Sequence, residues 1–320
     1  MAFILADKNT LARDLWPGEV GKIAQERELT SGNLRGVRLV PTELEELADW
    51  LWIDNDTGMS QLPVFVRSDV DGFEEVCHAG DTLELVVRLQ GRIGQMNLTI
   101  GGDWDGTEVH AKKATQWLTL VDGGCKEAFG VQVKAIEAVR EVVQLHLGRC
   151  VDRGRNRTGA IDMRRRVFTK VNPGNDDVPS VIKKVEDPRG KFEAIRHAWR
   201  VTDRIVVAKQ MASGKILPMP SLALRRGDFV DVSARVAVTV LRGPTGRRYE
   251  VYFEPTTIIR LATGTEFDDI SRTAGLSMNA NTARRGGGKP KVLTNSFTIE
   301  GSAAGGQKDG DGREQMVVEG

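Results

Sequence analysis

The sequence predicts a mainly β protein of the α+β class: two small barrel-like β modules, a few helices and a flexible C-terminal tail. Three observations predict it. First, two stretches repeat one pattern. Gly80-Asp81 leads into Thr82–Leu85 and closes on Glu108–Ala111, while Gly227-Asp228 leads into Phe229–Val232 and closes on Glu250–Phe253. Each runs from a Gly-Asp turn through two alternating strands to an apolar finish, at Leu118 and Leu120 or at Ile258, Ile259 and Leu261, which is the pattern of a β module used twice. Second, alternation broken by Gly-rich turns dominates from Leu62 to Val121 and again from Phe192 to Leu261. Third, apolar periodicity fades after Gly264.

In chain order, Met1–Lys8 has an apolar run too short for a secretory signal and no basic flank before it, so it reads as an opening strand. Leu44, Leu47 and Leu51 follow Pro41-Thr42 at helical spacing, with Glu43, Glu45, Glu46 and Asp49 between them, which predicts a short helix with an acidic solvent face. Strands are expected at Leu62–Arg67, Leu83–Leu89, Met96–Ile100, Thr107–Ala111 and Gln116–Val121. Val133, Ile136, Val139, Val143 and Leu147 recur every three or four residues before Gly148 and predict a helix over Phe129–Leu147. The domain expectation is therefore an acidic first module over 1–148, a basic Pro/Gly-containing linker over 149–191, a basic second module over 192–264 and a largely disordered tail over 265–320. Gly243-Pro244-Thr245-Gly246 is suited to a hairpin tip in the second module.

A chain of 320 residues, 40% hydrophobic and 28% charged, is long enough for two cores and has the composition of a globular protein. No run approaches the roughly 20 apolar residues that span a bilayer, so no membrane partner is expected. Cys77, Cys125 and Cys150 are odd in number and widely spaced, which excludes a disulfide framework and a Cys-x-x-Cys zinc site and points to a reducing compartment, nucleus or cytoplasm. Neither a dinucleotide fingerprint nor a phosphate-cradling loop with Gly-Lys-Ser/Thr is present, and no Gly-x-Ser-x-Gly elbow exists. The acidic pairs Asp54/Asp56, Asp103/Asp105 and Asp268/Asp269 sit among turn formers, where Asp serves the backbone. The expectation is a chain that is not an enzyme and carries no cofactor and no metal.

A net charge of +1 conceals a division. Residues 1–150 hold 15 Lys/Arg against 24 Asp/Glu, and residues 151–320 hold 30 against 20, so the halves carry −9 and +10. The positive charge is clustered at Arg164, Arg165 and Arg166, at Arg225 and Arg226, at Arg242, Arg247 and Arg248 around the hairpin tip, and at Arg284, Arg285, Lys289 and Lys291. Guanidinium forks match phosphate oxygens, and a groove of them attracts a polyanion.

Short strands, a Gly-Asp turn into a curved strand and a module closing on an apolar β segment resemble the oligonucleotide/oligosaccharide-binding (OB) fold, and most nearly the tandem modules of replication protein A-like single-stranded DNA-binding proteins, over Pro63–Val121 and Trp199–Leu261. That resemblance implies a strand-lined groove with aromatic platforms for bases and cations for the backbone. Carried over, the platforms in the second module are Trp199, Phe229, Tyr249 and Tyr252, and the backbone contacts are Arg225, Arg226, Arg242, Arg247 and Arg248, with Arg164–Arg166 from the flanking segment. In the first module the aromatic candidates are Trp104 and Trp117, with Arg88, Arg92, Lys112 and Lys113 as charges. The leading expectation is non-enzymatic binding of single-stranded nucleic acid, DNA first, through the basic grooves. The alternative is a structural, self-assembling β-rich scaffold or capsid-type protein, a homo-oligomer held by contacts between acidic and basic halves.

Overall fold

The computed structural model describes residues 1–34, 36–54, 61–78, 80–148, 159–171, 182, 186–244 and 246–275. The first part holds β1 (Phe3–Ile4), β2 (Leu39–Val40), α1 (Leu44–Trp50), β3 (Leu51–Ile53) and β4 (Gln61–Val66). Next come α2 (Phe73–Val76), β5 (Leu83–Glu84), β6 (Val86–Asn97), α3 (Glu108–Ala111), β7 (Thr115–Val121) and the 22-residue α4 (Lys126–Leu147). Then β8 (Ala160–Arg166), β9 (Phe168–Lys170), α5 (Lys191–Ile195), β10 (Trp199–Val201), β11 (Val206–Gln210) and β12 (Ile216–Pro218) lead to a long hairpin, β13 (Phe229–Gly243) and β14 (Gly246–Ala262), followed by α6 (Gly264–Thr273).

The protein is mostly β with a few helices. One sheet runs in the order β12-β11-β14-β13-β6-β7-β8, and β4, with β3 and β5 beside it, joins through β13. Its pairings are antiparallel except that of β11 with β14. Strand β13 changes partner along its length: Phe229–Arg235 pair with β6, and Ala237–Thr239 pair with β4. Val230, Val232, Val236 and Val238 alternate into the core, where β-branched side chains pack well on a pleated surface. Helix α4 lays Phe129, Ile136, Val139 and Val143 into the same core, each side chain contributing on the order of 1.5–3 kcal/mol by burial. Gly91 lets helix and strands close together, because a Cβ there would sit 3.0 Å from Phe129 and 3.1 Å from the Leu120 Cβ.

The two barrel-like modules expected from the sequence are not what these strands form. The stretches that share the Gly-Asp pattern contribute neighbouring strands to one sheet, β6 hydrogen-bonded to β13, rather than tandem modules. What repeats is the turn. Gly80 and Gly227 have φ of 95° and 92°, a left-handed conformation that glycine adopts without a Cβ clash. In both, the following aspartate accepts a hydrogen bond from the backbone N–H three residues earlier, His78 to Asp81 and Arg225 to Asp228, each at 3.0 Å. The two halves of the chain are in contact through Arg88–Asp231, Arg92–Asp268 and Arg235–Glu84.

Four local expectations also change. Residues 107–111 form α3 instead of a strand: the Asp105 carboxylate accepts from the Thr107 N–H and hydroxyl and contacts His110, closing a turn, while Ala111 and Ala114 pack on an aromatic cluster at helical spacing. The strands expected at 83–89 and 96–100 are largely one, β6, with an irregularity between Ile93 and Gln95. Within 149–191, Ala160–Arg166 is a strand of the main sheet, burying Ile161 and Met163 and exposing Asp162 and Arg164. Residues 264–273 form α6, started by a Thr263/Glu266 capping box and anchored by buried Phe267; residues 276–320 of the expected tail lie outside the described residues. Among the described residues, no helix is long and apolar enough to cross a membrane.

Candidate nucleic-acid interface

Strands β7 and β8 pair with Trp117 opposite Arg164, Thr115 opposite Arg166 and Thr119 opposite Asp162. Directly opposed residues share a face, so this row presents a half-buried indole beside two guanidinium groups. The inward row of the same strands, Leu118, Leu120, Ile161 and Met163, is core. Period-two alternation therefore divides the arginine triplet. Arg164 and Arg166 stand on the outer row, whereas Arg165 belongs to the opposite one, where burial lowers its pKa.

The end strand β8 comes back against β14, although no backbone ladder joins the two among the described residues. The Arg164 guanidinium sits 4.1 Å over the Tyr252 ring and is ion-paired with Glu250. The Tyr252 hydroxyl donates to the same Glu250. Burial first, and then that hydrogen bond to a carboxylate, raise the Tyr252 pKa, with Arg164 and Arg166 pulling the other way. Arg164 keeps 46% of its side chain exposed, against 6% for Glu250, so the cation faces solvent and its carboxylate does not.

The other expected contacts divide by position. Arg247 and Arg248 are exposed on β14 beside the hairpin tip, and Arg242 pairs in register with Arg247. The tip joins Gly243 to Gly246. Arg225 and Arg226 are exposed at the other end of the 15-residue β13, on the order of 45 Å away along the strand. Tyr249 is packed in the core and 7% exposed. Phe229 is fully buried against Trp16 and Phe267. Trp104 is taken up in a cluster with Phe168 and Phe192, and Trp199 is partly buried at the edge of that cluster. Arg88 is buried in an ion-paired network and Arg92 is held by Asp268, while Lys112 and Lys113 are exposed just before β7. Arg284, Arg285, Lys289 and Lys291 lie outside the described residues.

Sequence reasoning missed Glu250 as the partner of Arg164. The available signal was its place two residues before Tyr252, on the same face of a strand. Two of the acidic pairs are committed elsewhere, and Asp56 of the third lies outside the described residues. Asp103 accepts from Thr115, Asp105 contacts His110, Asp268 pairs with Arg92 and Asp269 with Arg272. Among the described residues, no three His, Cys, Asp or Glu side chains gather as a metal site.

No protein-family model matches the chain, and no curated protein matches it. Solved structures of the single-stranded DNA-binding protein from bacteriophage Enc34 align with it loosely. The C-terminally truncated form is 15% identical over 56% of this chain and 87% of that one, with a TM-score of 0.28. The form in complex with single-stranded DNA is 16% identical over 56% and 88%, with a TM-score of 0.26. A third structure of the same protein is 16% identical over 57% and 84%, with a TM-score of 0.27.

Proposed function

We propose that the chain binds single-stranded nucleic acid, without catalysing a reaction on it, along the outer face of β7 and β8 and the adjoining arm of the β13–β14 hairpin. The observation that carries this is the pairing of Trp117 with Arg164 on that face, with Tyr252 and Arg166 beside them. An aromatic face takes any base by stacking, at ~1–3 kcal/mol per base, and guanidinium groups take the phosphates between bases. Arg248, on the Glu250 and Tyr252 face of β14, continues the cationic run toward the hairpin tip, and Lys112 and Lys113 extend it on the other side. The proposed contact omits Tyr249 and Arg165, which turn inward, and Arg225 and Arg226, which lie at the far end of the hairpin.

The strand arrangement supports the same reading. Strands β6, β7, β8, β13 and β14 place β6 between β7 and β13, with β8 returning toward β14. We read these five as a single, partly open barrel of OB type in place of two. In that fold, oligonucleotides lie on the second and third strands and on the loops joining the first strand to the second and the fourth to the fifth. The corresponding parts here are β7 and β8, the 98–114 connection and the tip at Pro244, which carry Trp117, Arg164, Arg166, Lys112 and Lys113, with Arg247 and Arg248 next to the tip.

The test is fluorescence anisotropy of a labelled single-stranded oligonucleotide at two salt concentrations, with duplex as the comparison. Binding should weaken with salt by roughly 0.7 log units per decade for each phosphate neutralised. Trp117→Ala should weaken it about 5- to 150-fold. The Arg247→Glu/Arg248→Glu double variant should weaken it across all sequences and flatten the salt slope. Absence of binding by the unaltered protein at low salt sinks the proposal.

A further inference from the structure

Immediately after Arg166 the chain passes through Val167 into β9, which among the described residues pairs only with β10, in a two-stranded ribbon. In that ribbon Trp199 is opposite Lys170 and Val201 is opposite Phe168. The outer face of β7 and β8 sets an indole against a cation, Trp117 with Arg164, and the next strand along the chain repeats the device as Trp199 with Lys170. Phe168, Trp104 and Phe192 meet at ring centroid distances of 4.8, 5.0 and 5.7 Å and hold the ribbon against α5 and the 98–114 connection.

Between the ribbon and α5 lies a cleft of about 720 Å³, within the ~300–1,000 Å³ range of small-ligand sites. Phe168, Phe192, Trp199 and Val201 make its apolar surface, and Arg196 and Arg200 line it as cations. Among the described residues, the two carboxylates on its wall are engaged. Asp187 accepts from the backbone N–H groups of Lys191 and Phe192, and Glu193 pairs with Arg196 in an exposed, solvent-screened contact. An aromatic wall with cations beside it suits a planar, anionic ligand.

We infer that this cleft is a subsite for one nucleotide of the bound strand, its base against Trp199 and its phosphate toward Lys170, which stands opposite Trp199 on the same face of the ribbon. The inference rests on the reading that the strand lies along β7 and β8, since Arg166 is two residues from Phe168 and a strand following β8 runs onto the ribbon.

The experiment compares oligo-dT of increasing length, and thymidine monophosphate alone, on the full chain and on the Trp199→Ala and Lys170→Glu variants. Lys170 is exposed, so its variant keeps the test open if Trp199→Ala fails to fold. Long oligonucleotides should lose about 5- to 150-fold in affinity on Trp199→Ala. They should lose roughly 0.7 in salt slope on Lys170→Glu, while oligonucleotides too short to reach the ribbon bind as to the unaltered chain. Equal affinity of the folded variants at every length overturns the subsite and leaves the β7–β8 reading intact. No oligonucleotide binding, with thymidine monophosphate still bound by the unaltered chain and lost on Trp199→Ala, overturns the strand reading and keeps a nucleotide site. Binding of neither probe overturns both.

Discussion

Arg88 and Arg164 each hold a guanidinium over an aromatic ring and against a carboxylate, at two places on one sheet. Arg88 is 4.9 Å from the Phe3 ring, with its Nε 3.0 Å from Asp231 Oδ1, its Nη2 2.6 Å from Asp231 Oδ2, and Glu26 on its remaining side. Arg13 covers the same Phe3 ring at 5.0 Å, and Gln90 donates to Asp231 and to the Gly21 carbonyl. The Arg88 and Asp231 side chains are 5% and 1% exposed. Burial alone would lower the Arg88 pKa, but the Asp231 and Glu26 carboxylates reverse this and raise it. Arg164, by contrast, has one carboxylate among the described residues and an open side. The same kinds of group therefore make a structural clamp where both arginine and carboxylate are buried, and a surface able to exchange partners where the arginine stays half exposed.

The largest expected effect tests the clamp. Asp231→Ala leaves Arg88 buried beside Glu26 alone, and breaking a buried pair from one side costs about 3–5 kcal/mol. A urea unfolding curve should show a loss of that size, while oligonucleotide affinity of the folded variant at low temperature stays unchanged. A loss below about 1 kcal/mol would mean that the network is wetter than its geometry implies. A smaller effect sharpens the other side of the comparison. Glu250→Gln removes the charge that competes with phosphate for Arg164, so affinity should rise a few-fold and the salt slope steepen by roughly 0.7. A fall in affinity would instead assign Glu250 to positioning Arg164 over Tyr252. The smallest effect lies away from both arginines. Thr263 accepts from the Glu266 N–H and opens α6, whose Phe267 stacks on Phe229 at 4.8 Å. Thr263→Ala should cost ~1 kcal/mol in the same unfolding measurement and leave affinity untouched.

Much of the secondary structure was legible in the chain. The heptad-like spacing of Val133 to Leu147 marks α4, Leu44 to Leu51 marks α1, and the Gly243–Gly246 segment marks the hairpin tip. Strand β8 was hidden because three consecutive arginines cover its alternation: Ile161 and Met163 turn inward, but Arg164, Arg165 and Arg166 read as a solvated run. Helix α6 was hidden by its length and by the glycine at its start, although Thr263 and Glu266 spell a capping box. The candidate interface was legible in kind and not in membership. Tyr249 and Tyr252 sit three apart on one strand and therefore on opposite faces, a difference that composition does not carry.

By itself the sequence determined what depends on near neighbours: which segments alternate, where helices begin, and that Gly80-Asp81 and Gly227-Asp228 form the same left-handed turn. Such features follow from backbone sterics and hydrogen bonds spanning three or four residues. Only the tertiary structure decided that β6 pairs with β13, that Arg164 meets Glu250 across 86 residues, and that Arg88 is sealed inside by Asp231 across 143. A strand's edge offers the same N–H and C=O groups to any partner, so its choice of neighbour is made by long-range burial, which no local pattern records.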